Sequence, residues 1–157
     1  MRGWIKDLGL GTFPPFYKDP LFLLALLAGG LFWLLLWMRQ PTNPLRPEEL
    51  LSFSFFFLVL WQPAVEELLF RGFLQGAWLN SRWGGRSLFG ISAANLGASI
   101  AFTFAHLFSH PPLWAAAVFF PSLLFGFFRD RHASLYPSLA LHIFYNGGYF
   151  LLTGLPR

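Results

Sequence analysis

Eighteen consecutive residues, Leu21 to Met38, carry no charge, close to the run of about 20 that an α-helix needs to cross the hydrocarbon core of a bilayer. Four more apolar stretches follow: Leu50 to about Leu79, interrupted by Pro63; Ile91 to Phe108; Leu113 to Phe128, containing Pro121; and Ser134 to Leu152. Backbone polar groups in lipid must be satisfied inside the segment, so stretches this long specify helices. The composition agrees: only 11% of residues are charged and 55% are hydrophobic, whereas soluble domains carry roughly 25% charged residues. That excludes an ordinary cytoplasmic enzyme, a disordered tail and a secreted disulfide scaffold. The absence of cysteine excludes disulfides, thiolate metal sites and a cysteine nucleophile. The eleven Lys and Arg are scattered and form no basic helix face, so the net charge of +4 does not argue for nucleic acid. The expected fold is all-α: a polytopic membrane helix bundle of about five to six spans in a single domain, residues 1–157.

A secretory leader is the competing reading of the first run. The long preceding segment with Asp7 and Asp19, and the lack of a small-residue cleavage site after it, favour a retained span. The second stretch is long for one straight span and is expected to tilt or kink near Pro63. Residues 1–20 mix Trp4, Phe13 and Phe16 with Arg2 and Lys6 and are expected along the interface. Seven Lys and Arg fall on the N-terminal side (Arg2, Lys6, Lys18, Arg82, Arg86, Arg129, Arg131) against Arg39, Arg46 and Arg157 on the other. That imbalance predicts a cytoplasmic N-terminus.

Against this apolar background, Glu66, Glu67 and Arg71 lie inside a span. Each such charge costs about 2.5–3.5 kcal/mol on insertion scales. Glu67 and Arg71 are spaced i,i+4 with the acid first, the favoured order for a helical ion pair. Glu66 points about 100° away round the helix, beside Phe70 and Phe73, and needs another partner. A packing ion pair plus a snorkelling acid is the bland explanation, but Glu66 is far from either end of its span. The third stretch offers Phe102 and His106 one turn apart, and the fifth offers His142 and Asn146 at i,i+4. One buried polar chamber holding Glu66, His106, His142 and Asn146, supported by Glu67, Arg71 and Phe102, accounts for all of them. His110, followed by two prolines, is expected at the interface, and His132 in solvent.

A carboxylate beside imidazoles in a dry site is a general-base arrangement. Glu66 would deprotonate water with His106 orienting it, while His142 and Asn146 would donate to the oxyanion formed on an amide. The same groups could instead hold zinc through Glu66, His106 and His142, leaving a position open for water. The His-Glu-x-x-His signature is absent, so no cofactor is favoured. A serine reading pairs Ser99 with His142, although Ile100 stands where a rhomboid would have glycine. Transport is disfavoured by the lack of inverted repeats.

Glu66-Glu67-Leu-Leu-Phe-Arg71, Phe102 to His106 and His142 to Asn146, in that order, resemble the CPBP intramembrane proteases, the group of CAAX prenyl endopeptidases and bacteriocin-processing or immunity (Abi) proteins. The resemblance covers roughly Val65 to Tyr149. It implies a helical bundle around a polar chamber and cleavage near the C-terminus of a membrane-associated protein. It gives Glu66 and His106 to water activation and His142 and Asn146 to the oxyanion. The short chain is most similar to compact bacterial members that accompany C-terminal sorting tails, such as the JDVT-CTERM type. That implies a bacterial inner-membrane location and makes the lipid bilayer and a membrane-anchored or exported protein substrate the expected partners. A non-catalytic immunity or binding role is the alternative the same family carries.

Overall fold

The computed structural model describes residues 2–39 and 43–156. Helix α1 spans Arg2–Asp7, α2 Pro20–Arg39, α3 Phe53–Leu79, α4 Ala93–His106, α5 Pro112–His132 and α6 Tyr136–Thr153. Single 3-10 turns at Phe16–Lys18 and Pro47–Leu51 lead into α2 and α3. The one exception to helix among the described residues is a hairpin of two-residue strands, β1 Ser87–Leu88 and β2 Ile91–Ser92, whose register pairs Ser87 with Ser92. The all-α expectation therefore holds. Three helices, α2, α3 and α5, are long and apolar enough to cross a membrane by length and composition, and the chain is an integral membrane protein. The fourteen-residue α4 and the more polar α6 pack beside them and bring His106, His142 and Asn146.

Lipid explains the surface. Helix α2 buries only Phe22, Ala25 and Gly29 and leaves Leu24, Leu27, Leu31, Leu35 and Met38 exposed, the reverse of a water-soluble helix. Phe16, Phe22, Ala25, Phe125, Phe128 and Leu141 form the packed apolar core. The irregularity expected at Pro63 takes the form of a wide π-helical turn, Phe57–Trp61, immediately before it. Proline lacks an N–H and its ring crowds the carbonyl four residues back, so a widened turn lets the helix continue. A second π-helical stretch, Leu68–Gln75, follows and carries Arg71.

The connections at one end of the bundle are more tightly built than the sequence suggests. Helix α5 runs one turn beyond the expected boundary at Phe128, so Arg129 is a buried helical residue rather than a loop residue. Its guanidinium donates to the Asp7 carbonyl at 2.6 Å, while Ser134 Oγ donates to the Thr12 carbonyl and Leu135 N–H to the Gly9 carbonyl. The N-terminal segment is thus docked on the bundle, where its unpaired carbonyls find donors. His132 is not solvated as expected: it is half-buried, stacks on Phe128 and lies 3.0 Å from Asp19 Oδ2. Arg131 Nε binds the same carboxylate oxygen at 2.5 Å.

Two measurements check this architecture. A Cβ on Gly126 would collide with the Asn95 amide, which is fixed by its bond to the Leu123 carbonyl at 3.0 Å and by Ser99. Gly126→Ala should therefore destabilise the α4–α5 contact by about 1–3 kcal/mol, as overpacking does, read as a lower Tm in detergent. The hydrogen bond from Arg131 holds the Asp19 carboxyl below its ordinary value of 3.8. A lowered carboxylate contributes stability that is present above the ordinary value and lost as pH falls through the lowered one. The acid-side loss of stability below pH 3.8, followed through Tm, should be smaller in Asp19→Asn by no more than about 1 kcal/mol, because Arg131 is well exposed.

Candidate active site

The middle of α3 presents two adjacent acids that the fold treats differently. Glu67 is fully buried. Its Oε1 accepts from Arg71 Nη1 at 2.9 Å, the i,i+4 pair expected from spacing, and lies 2.9 Å from His142 Nδ1. Arg71 is also fully buried; its Nη2 donates to Ser122 Oγ at 2.6 Å and to the Ser122 carbonyl at 3.2 Å. The guanidinium lies over the Phe102 ring at 4.5 Å and the Phe125 ring at 5.4 Å. A buried guanidinium requires this combination of counter-charge, hydrogen bonds and aromatic faces to offset its lost hydration.

Glu66 keeps 19% of its side chain accessible. Gln62, one helical turn earlier, donates from Nε2 to Glu66 Oε1 at 2.9 Å. The other oxygen, Oε2, lies 3.5 Å from His142 Nε2. His142 of α6 is therefore set between the two carboxylates, one at each ring nitrogen. Its plane is fixed by stacking on Phe125, with centroids 4.8 Å apart and planes at 20°, and by the edge-on ring of Phe102 at 6.0 Å. A carboxylate only accepts, so the Nδ1 contact with ionised Glu67 places a proton on His142 Nδ1.

His106 closes α4 and is half-buried. Its Nδ1 lies 2.9 Å from the Phe102 carbonyl, so Nδ1 carries hydrogen and a neutral ring leaves Nε2 as acceptor. The ring packs on Phe102 at 4.4 Å and on the exposed His110 at 5.5 Å. Phe102 thus touches Arg71, His106 and His142 and ties α4 to the acids. Asn146, one turn beyond His142, donates one amide hydrogen to the Leu58 carbonyl at 3.1 Å, leaving a second hydrogen on the same nitrogen.

Direct contacts join Glu66, Glu67, Arg71, Phe102 and His142; His106 joins through Phe102, and Asn146 stands beside them on α6. Gln62, Ser122 and Phe125 escape the sequence reading. The i,i+4 spacing of Gln62 and Glu66 was a signal for the first, whereas the other two reach the site only through tertiary packing. Ser99 is buried and donates to Asn95 Oδ1 at 3.1 Å within its own helix, so it has the surroundings of a packing residue rather than of a nucleophile. Among the described residues, no group of three His, Cys, Asp or Glu is placed so that it could hold a metal ion.

The buried pair gives a stability test. Arg71→Met leaves Glu67 with an uncompensated charge and should cost about 3–5 kcal/mol. Glu67→Gln combined with Arg71→Met should be less damaging than Arg71→Met alone, as measured by thermal unfolding in detergent.

Residues 48–148, which contain the whole site, match the model of a protein family described as Type II CAAX prenyl endopeptidase Rce1-like. No curated protein matches the chain, and no solved structure does.

Proposed function

The chain belongs to the Type II CAAX prenyl endopeptidase Rce1-like family, and from that premise we propose that it is an intramembrane endopeptidase. It hydrolyses a peptide bond near the C-terminus of a membrane-anchored or exported protein, with Glu66 as the general base. The difference between the two adjacent acids carries this reading: Glu67 is fully buried with Oε1 held by Arg71 and His142, whereas Glu66 is accessible, positioned by Gln62 and faces an imidazole.

The roles follow from the free valences. Glu66 takes a proton from water as the water oxygen bonds to the scissile carbonyl carbon. His106, with Nδ1 committed to Phe102, presents Nε2 to the same water and orients it. The carbonyl oxygen gains negative charge and is met by donors on α6. Asn146 has a spare amide hydrogen for this. His142, whose Nδ1–H is directed at Glu67, donates from Nε2 only as the imidazolium. Collapse of the adduct breaks the C–N bond, and the proton held by Glu66 passes to the departing amine. The charge imbalance of the connections supports a cytoplasmic N-terminus, and C-terminal sorting tails are the substrate class proposed.

The test compares membrane-protein C-termini by mass spectrometry in host cells carrying wild type, Glu66→Gln or Ser99→Ala at matched expression. A defined set of tails should remain uncut with Glu66→Gln, at least 100-fold below wild type as loss of a general base implies, and should be cut with Ser99→Ala. Identical termini with wild type and Glu66→Gln would sink the hydrolase reading and leave the immunity or binding role.

A further inference from the structure

The loop between α3 and α4 forms a basic and apolar surface that the proteolytic site does not use. Trp83 sits at its centre, with the Arg82 guanidinium carbon 4.4 Å and the Arg86 guanidinium carbon 3.9 Å from the ring centroid. The loop is held in place: Gly84 N–H donates to Ser81 Oγ at 3.0 Å, Ala94 N–H to the Gly84 carbonyl and Ala93 N–H to the Arg86 carbonyl. Among the described residues neither arginine has a carboxylate within ion-pair distance. Asp130, in the adjoining cleft with Gly85, Ser87 and Gly90, has both oxygens engaged by Gln75 and Ser92.

The hairpin that follows carries Leu88, 72% exposed, and Phe89, 96% exposed, at its tip. Phe89 has φ +51° and Gly90 φ +81°, the pattern of a tight hairpin turn that favours Asn or Gly at the first of these positions. A phenylalanine in left-handed backbone is strained, and no packing explains it, since almost its whole surface is accessible. Ten residues earlier, α3 ends its apolar span at Leu79, just after the partly exposed Trp78. The loop therefore lies at the level where the lipid-facing surface of α3 meets the headgroups.

We propose that Arg82, Trp83 and Arg86 bind the phosphate of anionic phospholipid headgroups while Leu88 and Phe89 insert among the acyl chains. Two uncompensated guanidiniums complement phosphate, and the apolar tip accounts for a bilayer in a way that a free ion or nucleic acid would not. The inference is independent of the protease reading.

The full chain in nanodiscs of mixed phosphatidylglycerol and phosphatidylcholine tests this, with native mass spectrometry counting the lipids retained on release. Wild type should prefer phosphatidylglycerol by about tenfold, the scale expected when two basic residues act at a lipid surface. R82Q/R86Q should bring the preference close to unity with Tm unchanged. Phe89→Asn suits the turn and should keep or raise Tm, yet it should reduce the quenching of Trp83 by brominated acyl chains, taken as the part of the signal that Trp83→Phe removes. Three results would each overturn the proposal: no preference in wild type, a preference that survives R82Q/R86Q, or quenching unchanged in Phe89→Asn. Loss of the wild-type preference in excess inorganic phosphate, without a matching loss in excess chloride, would reassign the arginines to a free phosphate ion.

Discussion

The Glu67–Arg71 pair is the constraint around which the rest of the site is arranged. Two ions out of contact with water persist in a bundle when counter-charge, hydrogen bonds and aromatic faces offset most of their lost hydration. Here only Glu67 Oε2 and Arg71 Nε of the pair are buried without a hydrogen-bond partner. Arg71 spends one nitrogen on Glu67 and another on both oxygens of Ser122, and its flat faces lie against Phe102 and Phe125. Those neighbours come from α4 and α5, and His142 adds α6. A single guanidinium–carboxylate pair thus sets the mutual positions of four helices that would otherwise slide against one another in lipid, where apolar contact gives little register.

From that arrangement the asymmetry of the two acids follows. Adjacent residues on a helix point in different directions, so a chain that buries one carboxylate completely turns the next elsewhere. In α3 the second carboxylate meets Gln62 and the other nitrogen of the same imidazole. His142 consequently couples the structural acid to the accessible one, and the aromatic rings that hold its plane also hold Arg71. Stability and the proposed chemistry share side chains here, and a substitution at Phe102 or Phe125 touches both.

The sequence was most informative where the relevant distances are set by a single helix. The Glu67–Arg71 pair, the shared face of His142 and Asn146 and the contact of Phe102 with His106 are all i,i+4 relations, and each is legible from spacing alone. Gln62 obeys the same rule toward Glu66 but, being uncharged, draws no attention in an apolar run. The placement of His142 between two carboxylates depends on how α6 docks on α3, which periodicity does not encode. Charge marks span ends, so spacing places Arg129 in a loop and His132 in solvent; in the fold they are bound by the Asp7 carbonyl and by Asp19. The role of Ser99 was decided by Asn95, four residues before it in its own helix.

Helix α4 has fourteen residues, a rise of about 21 Å against a hydrocarbon thickness of about 30 Å. It begins at the hairpin and stops at His106, after which Phe108, 93% exposed, and Leu113, 85% exposed, belong to non-helical chain and the first turn of α5. A bilayer alongside so short an element thins locally to meet it, since tilting would only shorten its reach further. Dimpling brings the polar boundary down toward the imidazole that ends the helix. Under the proposed function, a leaflet thinned at that point would shorten the path of water to His106 and let an extended segment of a membrane protein approach from within the lipid.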